Sequence, residues 1–167
     1  MSFKQRPVIK LKLTAFDIVL EVVGVALLLV MWGFILYCYP TLPEKIPTHF
    51  GPDGKPDAFD SKSMLLVLAV MGTVVYVPML VVARFPHWAN YPVKVTEENA
   101  GRLYRYGASL LRELGIGCNV TFLWLVAGTC RIATNQANGL GNWFLPCVLV
   151  MFLAPTIYYL ARMGMTK

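Results

Sequence analysis

The chain has 167 residues, 57% of them hydrophobic and 14% charged, with a mean hydropathy of +0.58. A soluble domain carries about a quarter charged residues. Too few are present here to clothe a water-facing surface, and the apolar content excludes a disordered chain. The net charge of +6 would point to nucleic acid in a soluble protein; in a membrane protein it reflects cytoplasmic loops and anionic lipid, and no nucleic-acid partner is expected.

Four apolar stretches of membrane length follow one another along the chain, at 16–39, 64–83, 110–131 and 143–161. About 20 helical residues cross the ~30 Å of hydrocarbon, and helices satisfy every backbone group internally. The runs do not alternate as barrel strands do. The predicted fold is an all-α membrane protein of four transmembrane helices. The first stretch follows a basic start but is too long for a signal peptide and ends in Tyr37-Cys38-Tyr39-Pro40 instead of a small-residue cleavage site, so it reads as an uncleaved helix.

Eleven basic residues fall on one face, from Lys4, Arg6, Lys10 and Lys12, through Arg84, Lys94, Arg102, Arg105 and Arg112, to Arg162 and Lys167. Four, Lys45, Lys55, Lys62 and Arg131, fall on the other. Both termini are therefore expected in the cytoplasm of a bacterial inner-membrane protein.

The outer loop, 40–62, carries five prolines and the turn Gly51-Pro52-Asp53-Gly54. A small hairpin or an ordered proline-rich cap is expected, with Asp60, Ser61 or Ser63 capping the second span. It also gathers His49, Asp53, Asp57 and Asp60 near Glu44, residue types able to hold a cation but at no diagnostic spacing; no metal or cofactor is expected. The inner segment, 84–112, reads as an extended loop around Asn90-Tyr91-Pro92 and then a helix capped by Thr96. That helix is expected to run unbroken into the third span and to project into the cytoplasm.

Asp17 and Glu21 share one face of the first helix. Membrane carboxylates often mark ion pathways, but Thr14 and Asp17 also form a capping motif, and a pairing of Arg112 with Glu21 would satisfy both charges. Together with Asn119, a polar residue within the third span, they are the candidate ion-pathway residues. Of the four cysteines, Cys38 and Cys130 fall near the outer face; small hydrophobes in packed helices are the simpler reading, a disulfide the other. No nucleophile elbow, phosphate loop or zinc motif is present, so no enzymatic activity is expected.

The run Leu42-Pro43-Glu44-Lys45-Ile46-Pro47-Thr48-His49-Phe50-Gly51, followed by Gly54, Pro56, Asp57, Ser61 and Lys62, resembles the signature of the bacterial membrane family called domain of unknown function 1648. Asn90-Tyr91-Pro92-Val93-Lys94-Val95-Thr96, with Arg102 and Tyr104, resembles the inner-loop motif of its short members. Longer proteins with this domain are similar to the immunity protein against a sporulation-delaying peptide toxin, which protects the membrane and signals to a repressor. The resemblance implies a non-enzymatic protein that senses or neutralises an external peptide or envelope component, with a possible cytoplasmic protein partner or homo-oligomer. The candidate binding residues are Pro47, His49, Phe50, Gly51, Gly54, Pro56 and Asp57 outside, and Asn90, Tyr91, Pro92 and Arg102 inside. The alternative is a subunit of a small transporter or ion-coupled complex.

Overall fold

The computed structural model describes residues 6–166; Lys4 and Lys167, counted above among the inner-face cations, lie outside them. Four helices form the body: α1 (Ala15–Cys38), α2 (Met64–Arg84), α3 (Ala100–Ala133) and α4 (Phe144–Gly164). Each is long and apolar enough to cross a membrane. Strands β1 (Lys45–Phe50) and β2 (Pro56–Ser61) form an antiparallel hairpin between α1 and α2. Of the two expected forms, a small hairpin or an ordered proline-rich cap, the loop takes the hairpin.

α1 starts where its sequence motif places the start. Thr14 Oγ1 accepts from the Asp17 amide at 3.2 Å, and Asp17 Oδ2 accepts from the Thr14 amide at 2.8 Å, the reciprocal capping box. α2 differs from expectation: Ser63 stands at its N-cap without a side-chain cap bond, and its hydroxyl donates to Ser61 Oγ instead, at 3.0 Å. α3 begins as a regular helix at Ala100, a turn after the expected Thr96. The capping exchange is still there, as Thr96 N donates to Asn99 Oδ1 (2.8 Å) and Asn99 N donates to Thr96 Oγ1 (3.3 Å). At 34 residues, α3 is roughly 51 Å long at 1.5 Å per residue. That exceeds ~30 Å of hydrocarbon, so part of it stands clear of the bilayer.

α3 is the central helix, packed on α1, α2 and α4, whereas α4 meets the bundle mainly through α3. Close packing here is arranged around Tyr76. Its ring, on α2, lies in a slot made by Gly24 of α1 and Gly115 of α3. A Cβ at Gly115 would come 3.1 Å from the ring, and one at Gly24 would meet the hydroxyl. Small residues let membrane helices approach where the hydrophobic effect gives no drive.

Two apolar clusters occupy the two ends. At the hairpin end, Met31, Ile35, Cys38, Leu42, Ile46, Leu65, Ala69, Val126 and Cys130 form a buried core. At the opposite end, Leu103, Tyr104, Tyr159 and Met163 pack with Ile9 and Leu11. The described N-terminal segment and the end of α4 therefore meet at one end of the bundle.

Gly24→Ala is expected to lower thermal stability by about 1–3 kcal/mol, the usual penalty of overpacking, and Gly24→Ala with Tyr76→Phe to recover part of it. Unfolding in detergent micelles, followed by circular dichroism, measures both.

Candidate functional site

The end of the bundle opposite the hairpin holds a buried charge network. Arg112 of α3, with its side chain 3% exposed, sits between the two carboxylates of α1. Its Nε donates to Glu21 Oε1 at 3.0 Å and its Nη1 lies 3.2 Å from Asp17 Oδ1. Arg84, the last residue of α2, donates from Nε to Glu21 Oε1 at 2.8 Å and also from Nη2 to Oε2. Arg105 approaches Asp17 at 3.9 Å.

Helical rise accounts for the match. Cys38 and Cys130 are side by side at the hairpin end. Counting back at 1.5 Å per residue puts Glu21 roughly 26 Å down α1 and Arg112 roughly 27 Å down α3. Both land at one level, near the edge of a ~30 Å hydrocarbon layer. The expected pairing of Arg112 with Glu21 is present. Sequence reading missed that Arg84 and Arg105 belong to the same network, although the end of α2 and the start of α3 had been placed on the same face as the start of α1.

Asn119 is fully buried and donates from Nδ2 to the Gly24 carbonyl at 2.8 Å. Its Oδ1 and the Tyr76 hydroxyl are buried without a hydrogen-bond partner. Such a group costs of order 1–3 kcal/mol, which a bound water would relieve.

The inner-loop residues divide. Tyr91 turns inward: its hydroxyl donates to the Pro86 carbonyl at 2.8 Å and its ring lies 5.5 Å from that of Tyr104. Burial pushes its phenol up, the nearby Tyr104 adds to this, and Arg6 opposes it. Asn90, Pro92 and Arg102 stay exposed. The segment is strapped down from the N-terminal side, where Arg6 donates to the Ala89 carbonyl and Tyr104 donates to that of Pro7 at 2.9 Å.

At the other end, the hairpin register pairs Lys45 with Ser61 and Ile46 with Asp60, and slips at Pro47–His49 and again at His49–Phe50. Pro47 has no amide to donate, which suits a ladder interruption. Gly54 closes the turn at φ +74°, a conformation glycine adopts without strain. Its carbonyl accepts from the Leu140 amide at 2.9 Å, so the α3–α4 connection is bonded to the hairpin tip. Sequence reading assigned no role to that connection; the Asn138-Gly139-Leu140-Gly141 run was its one visible turn signal.

The hairpin brings His49 and Asp57 together, Nδ1 to Oδ1 at 2.5 Å, with both side chains more than half exposed. It scatters the other acids: Asp53 accepts from the Lys55 amide, Asp60 from the Ser61 amide, and Glu44 pairs with Lys62 at 3.0 Å. Among the described residues no group of three or more such side chains could hold a metal ion. Between the hairpin tip and the start of α4 lies a cleft of about 810 Å³, walled by Phe50, Leu125, Leu140, Phe144 and Leu145, with His49 at its edge.

These features define a multi-pass membrane protein of four apolar helices carrying a small hairpin at one end. Residues 26–73 match the family described as domain of unknown function (DUF1648), the family that the loop motif resembles. The matched stretch takes in most of α1, the whole hairpin and the first half of α2. An uncharacterized protein of Archaeoglobus fulgidus is 35% identical over 81 residues, covering 44% of this chain and 43% of the relative. The match thus spans under half of that protein's length. No solved structure matches the chain.

Arg112→Met is expected to destabilise the bundle by roughly 3–5 kcal/mol, because it strands buried carboxylates. The double variant Arg112→Met with Glu21→Gln is expected to cost less than the sum of the two single changes. A double-mutant cycle on unfolding in lipid nanodiscs measures the coupling; additive losses would show that the contact carries no energy.

Proposed function

We propose that the chain is a non-enzymatic protein of the cytoplasmic membrane that recognises an external amphipathic peptide or envelope component at its hairpin end. The cleft beside the hairpin carries this reading. At about 810 Å³ it falls within the range of ligand clefts. Its wall is mostly apolar, and His49, which is exposed and paired with Asp57, is among its lining residues. An occupant can lay an apolar part against Phe50, Leu140 and Phe144 and present a polar part to the pair. Among the candidate residues, Phe50 forms the wall, Gly54 holds the tip against Leu140, and Gly51, Pro56 and Pro47 shape the strands.

The charge bias supports the orientation. The basic residues of the network end outnumber those of the hairpin end, a bias that favours a hairpin outside and both termini within the cytoplasm. Asn90, Pro92 and Arg102 are then the exposed inner surface for a cytoplasmic partner or for lipid headgroups. Kinship in function with toxin-immunity proteins belongs to the same proposal.

In cells challenged with membrane-active peptides, Phe50→Ala and Asp57→Ala are expected to give the sensitivity of a deletion strain at unchanged membrane levels of the protein. Wild-type tolerance in both variants would overturn the reading.

The second reading, a subunit of a small transporter or ion-coupled complex, draws on the unpartnered Tyr76 hydroxyl and Asn119 Oδ1 near Glu21. Against it, Met31, Ile35 and Val126 are fully buried and fill the hairpin half of the bundle. Proton or cation flux in proteoliposomes that is lost in Glu21→Gln would favour it, and background flux in both proteins would remove it.

A further inference from the structure

Cys38 ends α1 and Cys130 lies in the last turn of α3. They are remote in sequence, yet their sulfurs are 2.8 Å apart and both residues are buried, 8% and 5% exposed. They pack with Leu42 and Ile46, directly beneath β1, and with Leu65 and Val126. A thiol is a weak donor and a weak acceptor, so a thiol–thiol contact is a poor reason to hold two sulfurs together. No such pairing is formed by Cys118 or Cys147, which sit singly on α3 and α4.

We infer that Cys38 and Cys130 are joined by a disulfide that staples α1 to α3 under the hairpin. This rests on the outward placement of that end, because disulfides persist in oxidising compartments. The bond forms by thiol–disulfide exchange with an external thiol–disulfide oxidoreductase in its oxidised form. One chain thiolate attacks the donor disulfide to give a mixed disulfide. The second chain thiolate then displaces the donor. Two protons and two electrons leave the chain, and the donor ends as a dithiol. Burial requires the exchange to occur as the helix ends assemble, and it afterwards shields the bond from reductants. The product is a fixed brace and not a redox sensor, since sensor cysteines are solvent-accessible. It holds the floor of the hairpin still, through the packing on Leu42 and Ile46.

The test counts thiols in full-length protein taken from acid-quenched cells, denatured without reductant and treated with a maleimide mass tag. Two tags are expected, on Cys118 and Cys147, rising to four after reduction. Cys38→Ser and Cys130→Ser are each expected to give three without reductant. Four tags on the wild-type chain before reduction overturn the inference, whether or not an added oxidant can then link the pair. The wild-type count decides even where the single variants fail to accumulate. A membrane-impermeant probe at Lys55→Cys, in a chain whose four natural cysteines are serine, reports the side separately. Four free thiols at an outward-facing end sink the bond alone; four free thiols at an inward-facing end sink both the bond and the orientation.

Discussion

A charge inside a membrane bundle has to be paired, and the arrangement of this protein follows from how Arg112 meets that demand. Removing an ion from water costs several kcal/mol, which only a partner with good geometry repays. Arg112 is central on α3 and its side chain is nearly inaccessible, so its partners must come from another helix at the same height. α1 supplies them, one helical turn apart, in Asp17 and Glu21. That fixes the stagger of α1 against α3 and the rotation of each about its axis. Arg84 then brings the end of α2 to the same point by bonding Glu21. A slip of one turn, about 5.4 Å, would bring one carboxylate to the place of the other and leave the network a partner short.

Tyr76 and its two glycines work with the charges. Gly24 lies less than one turn beyond Glu21, and Gly115 less than one turn beyond Arg112. The ring of α2 enters between them where the charges already hold α1 and α3 in register. Asn119 adds a bond to the Gly24 carbonyl a further turn along. Charge pairing, small-residue packing and one interhelical hydrogen bond follow in order from the network end toward the middle. Beyond them the packing is mostly apolar up to the sulfurs at the other end, crossed by one further interhelical bond, from Trp32 Nε1 to Thr73 Oγ1 at 3.0 Å.

The spans, their number and the Arg112–Glu21 pair were legible because they rest on local composition and on helical rise. Thr14 and Asp17 gave the start of α1 for the same reason, since a capping box spans only four residues. Contacts made by the backbone of distant loops were not legible. The bond from Leu140 to the Gly54 carbonyl joins segments far apart in the chain, and neither shows a pattern that names the other. Arg84 and Arg105 could be assigned to the right face by counting charge but not to the right partner. Tyr91 stood among the candidate surface residues, and only the fold shows it turned against Tyr104 with its hydroxyl spent on Pro86.

The matched stretch, 26–73, begins after Glu21 and ends before Arg84 and Arg112. It contains the hairpin and the parts of α1 and α2 that carry it, but not the charges that align the bundle. Alternating access needs helices that slide or rock while a central site stays reachable from each side in turn. Here three helices are tied at one end through Glu21, which Arg112 of α3 and Arg84 of α2 both bond, while Met31, Ile35 and Val126 close the other. Movement in the charged half would expose unpaired carboxylates to lipid, and movement in the apolar half would open a void in a packed core. Physical cost therefore weighs against motion through the bundle. It favours a rigid platform under the hairpin and the cleft beside it, which is what the proposed recognition role requires.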